Sequence, residues 1–254
     1  MSGFYDLTKE KRLHLVEQIN KDILSAIQKN STVKILDYFS DEDTYVRKSA
    51  YLSIGRVYFQ NNKLQSKIIS LLKKLLKEKY FKIRQTVVNA AGEIGIGEFE
   101  IVECFFDTAL FDEHHSVRNA VIGSVKKMSE KNPKPVLKWA KKYLHHEDKE
   151  VRREICHGIE LRGRKFPQDI LSMLKELEFD KTARVSKTLV HVLGQIAYKK
   201  GCLATVITHL NSWKNKKVVE EAIDEIIDVH ERYKNFSVLT QAEAIKYIAK
   251  HYKP

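Results

Sequence analysis

Apolar residues recur along this chain at helical spacing, in blocks that repeat. Each block carries one signature: Val46-Arg47-Lys48-Ser49-Ala50, Ile83-Arg84-Gln85-Thr86-Val87, Val117-Arg118-Asn119-Ala120-Val121, Val151-Arg152-Arg153-Glu154-Ile155, Val185-Ser186-Lys187-Thr188-Leu189 and Val219-Glu220-Glu221-Ala222-Ile223. The first spacing is 37 residues and the next four are 34. Taking the first residue of each signature as an anchor, the fourth residue on reads Ala50, Val87, Val121, Ile155, Leu189 and Ile223. The eighth reads Ile54, Ala91, Val125, Ile159, Leu193 and Ile227. These positions share one helix face, which must be buried against neighbouring blocks. A second apolar set precedes each anchor by eleven residues: Ile35, Leu72, Phe106, Ala140, Leu174 and Thr208. Each block is therefore a helix pair, and the signature opens the second helix. Self-similarity at this period marks a solenoid, in which each unit contacts mainly its neighbours.

The pattern predicts an all-α fold: a right-handed α-solenoid of about six helical hairpins, at 31–60, 64–97, 98–131, 133–165, 167–200 and 201–234. Capping helices are expected at 6–30 and 238–252, so that 1–254 forms a single repeat domain. In the opening helix Leu13, Val16, Ile19, Ile23, Leu24 and Ile27 face inward, with Asp6 or Thr8 as cap. In the closing helix Thr240 is the cap, and Ala244, Ile245, Ile248 and Ala249 face inward. Asp41, Glu78, Asp112 and Asp180 stand five before their anchors, and Asp148 three before its own. Such carboxylates can cap the second helix or pair with Arg47, Arg84, Arg118 or Arg152. Gly55, Gly92 and Gly194 fall nine after the anchor. Glycine there costs roughly 1 kcal/mol against alanine, so its recurrence points to close helix approach.

Composition changes the picture in one respect. Lys and Arg number 45 against 33 Asp and Glu, a net charge of +12, which favours a polyanionic partner. Cys104, Cys156 and Cys202 are odd in number and widely spaced, and read as reduced core residues of a cytoplasmic protein. The N-terminal stretch from Met1 to Asp6 has no apolar signal segment, and no apolar run reaches membrane-spanning length. No phosphate-loop, dinucleotide or nucleophile-elbow motif occurs, so no cofactor is expected. The histidines His114, His115, His145, His146, His157 and His191 lack partners at zinc-ligand spacing, so no metal is expected either.

With the apolar face buried, the informative side chains lie on the second helices' other face. They include Lys48, Gln85, Asn89, Asn119, Lys127, Arg153, His157, Arg164, Lys187 and His191, with Arg162 close by. Basic residues are dense between Lys126 and Lys165, and arginine can grip a phosphate with two parallel hydrogen bonds. The sixth block turns acidic, with Glu221, Glu225 and Asp228.

The acidic turn, the V-R pair and the small residues nine on resemble the HEAT family of helical repeats over about residues 31–232. A narrower resemblance runs from about residue 146 onward. Asp148, Val151-Arg152-Arg153, Gly158, Arg162, Arg164 and Pro167, then Asp180, Val185, Lys187, Leu193, Gly201 and Trp213, are similar to the HEAT-like repeats of alkylpurine DNA glycosylases. That resemblance implies duplex DNA held in a basic concave groove. It places Arg153 at the family's arginine position and His191 at its later aromatic position. The earlier aromatic–aspartate pair is not matched, since His114, His115, Arg118 and Asn119 stand there. If the chain excises alkylated purines, Glu93, Asp112 or Glu154 must supply the carboxylate that a cationic sugar transition state needs. The expectation is thus a duplex-DNA-binding repeat protein of the alkylation-repair type, with or without glycosylase activity. It is expected to be a monomer with no membrane partner. The alternative is a non-enzymatic protein-interaction scaffold.

Overall fold

A computed structural model describes residues 3–253; Met1, Ser2 and Pro254, the ends of the expected 1–254 domain, lie outside the described residues. Every regular element among them is helical. The chain forms two compact units, one ending at Ser124 and the other beginning at Val125.

The first unit opens with α1 (Lys9–Gln28), capped by the Thr8 hydroxyl, which accepts from the Lys11 N–H. Three helix pairs follow: α2 (Val33–Ser40) with α3 (Thr44–Gln60), α4 (Gln65–Leu75) with α5 (Phe81–Gly95), and α6 (Phe99–Ala109) with α7 (His115–Lys131). The second unit takes the end of α7 and continues with α8 (Pro133–Tyr143), α9 (Lys149–Gly158) and α10 (Glu160–Gly163). It then runs through α11 (Leu171–Lys175), α12 (Ala183–Gln195), α13 (Cys202–Leu210), α14 (Lys216–Arg232) and α15 (Gln241–His251).

The anchor, fourth and eighth positions of the first five second helices are buried. Burying an aliphatic side chain of this size contributes about 1.5–3 kcal/mol, enough to override the weak helix propensity of Val, Ile and Thr. The turn carboxylates shape the start of the second helices. Asp41, Asp112 and Asp180 each accept the N–H two residues on, at 2.7, 2.8 and 2.9 Å. Asp43 and Asp148 cap α3 and α9. The arginines after the first four anchors fold back onto turn carbonyls. Arg84 Nη1 donates to Glu78 and Lys79 at 2.9 and 2.7 Å, and Arg152 Nη1 to His146 and Glu147 at 2.7 and 2.9 Å. The forks of Arg84 and Arg152 then reach the aspartate of the following repeat: Arg84 binds Asp112 at 2.7 and 2.9 Å, and Arg152 binds Asp180 at 2.6 and 3.1 Å.

Four local readings are corrected. In the sixth pair Ile223 and Ile227 are only half-buried and Thr208 is exposed, whereas Ala222, Ile226 and Ile207 are buried. The register fits Val218 as anchor, 33 residues after Val185. Two adjacent buried valines, Val218 and Val219, concealed the shift. The fourth second helix is not continuous: α9 ends at Gly158 and α10 starts at Glu160. The helical bonds stretch there, with Gly163 N to Ile159 O at 3.5 Å. Leu13, Ile245 and Ala249, expected to face inward, are exposed. Cys104 is exposed, whereas Cys156 and Cys202 are buried. Among the described residues, no helix is long and apolar enough to cross a membrane.

Candidate nucleic-acid interface

Lys48 lies on the solvent side of α3 in the first unit, two residues after its anchor, and is exposed. It makes no ion pair or hydrogen bond among the described residues. Gln85 and Asn89 are half-buried on α5, and Asn119 is exposed on α7. Glu93, on the same face of α5, lines an open cleft of about 340 Å³ with Leu52, Arg56 and Phe59.

The residues standing where the resemblance implies an aromatic and a carboxylate serve the turn. Arg118 Nη1 donates to the Asp112 and Glu113 carbonyls at 2.6 and 3.1 Å. His114 stacks on Phe81 with ring centres 3.6 Å apart, and His115 stacks on His114 at 4.7 Å. Asp112 takes the Arg84 fork and the His114 N–H. Burial works against its ionised form, but those bonds outweigh it and hold the carboxyl below the usual range.

In the second unit most of the expected phosphate ligands are already engaged. Arg153 binds Glu150 at 2.9 Å and Glu154 at 3.4 Å, and Arg184 shares Glu150 at 3.1 Å. Arg162 binds Asp169 and lies over the Phe166 ring at 4.0 Å. Arg164 Nη2 binds Glu160 at 2.5 Å and Gln195 Oε1 at 2.7 Å. His191 Nδ1 is 3.5 Å from Glu225, which Arg232 also binds at 2.8 Å. Lys187 is exposed on α12 and, like Lys48, makes no ion pair or hydrogen bond among the described residues. Lys127 is exposed on α7.

The centre of this network is Glu160, which the sequence reading passed over. Its carboxylate is fully buried and meets Lys126 Nζ at 3.0 Å, His157 Nε2 at 3.1 Å and Arg164 Nη2 at 2.5 Å. Burial alone would raise its pKa, but His157, Lys126 and Arg164 more than offset that and hold it at about 2. One signal could have found it. Glu160 falls nine after its anchor, where Gly55, Gly92 and Gly194 stand in other repeats, and Lys126 falls at the same place in α7.

His157, Glu160 and His191 offer three donor atoms within 4.8 Å of one another, the makings of a metal site. The Lys126 ammonium stands 2.8 Å from His157 Nε2 and 3.0 Å from Glu160 Oε2, so the protein's own cation meets two of the three. With Arg164 on the other carboxylate oxygen, a divalent ion would face two positive charges at close range.

No family model matches the chain, and no curated protein does. Solved structures do. AlkD2 from Streptococcus mutans superposes with a TM-score of 0.56 at 17% identity, over 80% of this chain and 97% of AlkD2. The protein smu.31 from Streptococcus mutans UA159 gives 0.54 at 16% identity, over 80% and 97%. A TOG domain of crescerin, whose array regulates microtubules in the primary cilium, gives 0.50 at 14% identity, over 81% and 88%. The fold is that of HEAT-like helical-repeat proteins. It resembles the AlkD DNA alkylation repair proteins, and identities this low carry the fold alone.

Proposed function

We propose that this chain binds duplex DNA through the outward face of its second helices and does not excise bases. The observation that carries the reading is the state of Lys48 and Lys187. Both stand two residues after an anchor, both are exposed, and neither is neutralised by a carboxylate among the described residues. Each unit thus presents a free ammonium on the same register of a second helix, in a chain with net charge +12. Arg153 and Arg164 are held by Glu150 and Glu160 and are not assigned phosphate contacts in this reading. The amides Gln85, Asn89 and Asn119 supply neutral donors on the first unit. What supports the second half of the reading is that two of the three candidate carboxylates are paired with arginines. Asp112 is taken by Arg84 and Glu154 is bonded to Arg153, whereas Glu93 lines the open cleft beside Arg56.

Duplex binding followed by fluorescence anisotropy tests the proposal. Affinity should fall steeply with salt, and replacing Lys48 and Lys187 by Glu together should weaken it by roughly tenfold or more. The slope of log affinity against log salt should shrink by about one for each lysine removed. An unchanged affinity and slope in the double variant would remove the DNA reading. Release of a methylated purine from DNA by the unaltered protein would overturn its second half, and E93Q, D112N and E154Q would then locate the acid.

A protein-scaffold reading draws on a separate feature. α14 exposes Glu220, Glu221, Asp224 and Asp228 on its solvent face, a surface suited to a basic partner. One stable protein partner, with no duplex affinity at low salt, would favour it over the first reading.

A further inference from the structure

The second unit holds a cleft of about 440 Å³ that the duplex reading does not use. Its walls include Arg164 and Lys165 from the end of the fourth repeat, and Lys199 and Lys200 from the connector before α13. Glu130 is the one carboxylate among its lining residues. It binds Lys165 at 2.6 Å, and Glu160 behind the wall binds Arg164 at 2.5 Å. Lys199 donates to the Phe236 carbonyl at 3.2 Å and lies 4.7 Å from the centre of the Tyr198 ring. Lys200 is exposed and unpaired among the described residues. Four cationic residues line the cleft against two carboxylates, a surplus of two positive charges around it.

Donors are in surplus as well. Arg164 Nε is buried without an acceptor. Gln195, whose Oε1 takes the Arg164 Nη2, is 1% exposed, and its Nε2 is also without an acceptor. Buried donors of this kind are normally satisfied. The first residue of α13, Cys202, lines the same cleft, and the first turn of that helix carries no acid to cap its positive end.

We propose that this cleft binds a terminal phosphate, a dianion carried either on a small phosphate ester or on the phosphorylated end of a DNA strand. Two negative charges balance the surplus, and three terminal oxygens supply acceptors to Arg164 and the lysines. The volume is ample for a phosphate group and the residue that carries it. The inference does not rest on the duplex reading, whose free lysines are elsewhere on the second helices.

The test uses the full chain and thermal unfolding. Inorganic phosphate is added against chloride at matched ionic strength. A saturable rise in Tm of about 2–4 °C is expected. Lys200→Glu should lower phosphate affinity by about tenfold, whereas Lys138→Glu, on the exposed side of α8, should leave it unchanged. A rise no larger than chloride gives, or one equal in Lys200→Glu, overturns the site and leaves water as the acceptor of the buried donors. The source is resolved with one duplex bearing either 5′-phosphate or 5′-hydroxyl ends. A preference of about tenfold for the phosphorylated duplex, lost in Lys200→Glu, assigns the site to DNA ends. Equal binding of the two, with the response to inorganic phosphate intact, assigns it to a small ester. Phosphate binding without any duplex affinity would remove the duplex proposal and leave this one standing.

Discussion

The same place in the repeat is filled in opposite ways in the two units. Nine residues after the anchor the first unit has Gly55 and Gly92, while the second has Lys126 and Glu160 before Gly194 returns. Where glycine stands, neighbouring second helices close on each other. A Cβ on Gly55 would lie 2.8 Å from the Glu93 Cβ, and one on Gly92 would lie 2.5 Å from the Ser124 hydroxyl. Where the charged residues stand, the space is filled by an ion pair 3.0 Å long between two repeats, joined by His157 and Arg164. One register can thus be held either by backbone proximity or by a buried electrostatic network. The two solutions differ in what they demand: the first tolerates no added atom, the second no lost charge.

The largest effect should come from the charged solution. Glu160→Gln leaves the half-buried Lys126 and Arg164 without their buried counter-charge, and should cost about 2–4 kcal/mol in chemical denaturation. The pH dependence gives a second readout. The Glu160 pKa in the folded chain, about 2, lies below its ordinary value of 4.5. Its stabilisation is therefore fully present above about pH 4.5 and is lost as pH falls from there toward 2. The wild type should lose stability through that window, and Glu160→Gln should lose measurably less. Equal acid sensitivity in both proteins would place the effect on other carboxylates.

Next in size is the contrast between Arg84 and Arg47. Both follow an anchor and both bind turn carbonyls, but only Arg84 has its fork on an aspartate of the next repeat, at 2.7 and 2.9 Å. Arg47 donates to the Asp41 and Glu42 carbonyls. A lysine cannot make the bidentate contact. Arg84→Lys should cost about 2–3 kcal/mol and Arg47→Lys about 1 kcal/mol. Equal costs would mean that the carbonyl bonds alone matter and that the inter-repeat pair adds nothing.

Much of this was legible in the sequence, and the reason differs from one part to another. The anchor face was readable because burial imposes a fixed spacing on Val46, Ala50 and Ile54 and on their counterparts. The caps were readable because Thr8, Asp148 and Thr240 are local: each bonds an N–H within three residues. Partner choice across repeats was not. Arg153, Arg162 and Arg164 carry the same charge in the sequence whether they face solvent or a carboxylate, and all three proved to be paired. Glu160 was hidden because the periodic reading followed apolar positions, and a buried charge is visible only once its partners from α7 and α9 are in place. The sixth repeat was misread by one residue because Val218 and Val219 each satisfied the pattern as an anchor.

The glycine solution has the smaller predicted effects, and they are of opposite sign. Gly92→Ala gains about 1 kcal/mol of helix propensity within α5. The new methyl must then displace Ser124, whose Oγ and Cβ would lie 2.5 and 2.7 Å away. Overpacking of that kind typically costs 1–3 kcal/mol, so a net loss of about 1 kcal/mol is expected.

Gly123 supplies the control, and the smallest effect. It lies in α7 only one residue from Ser124, yet it is exposed and a Cβ there would meet nothing within 4 Å. It also has an ordinary helical backbone, since Gly201 is the one glycine with positive φ among the described residues. Gly123→Ala therefore takes the propensity gain without the clash and should stabilise the chain by about 0.5–1 kcal/mol, read as a higher denaturation midpoint at unchanged slope. If Gly92→Ala stabilised to the same extent, the inter-helix approach at the ninth position would not be tight, and glycine there would reflect something other than packing. If Gly123→Ala instead weakened duplex affinity while raising stability, the proposed surface around Asn119 would extend to Gly123 itself, with glycine kept to let a phosphate backbone approach.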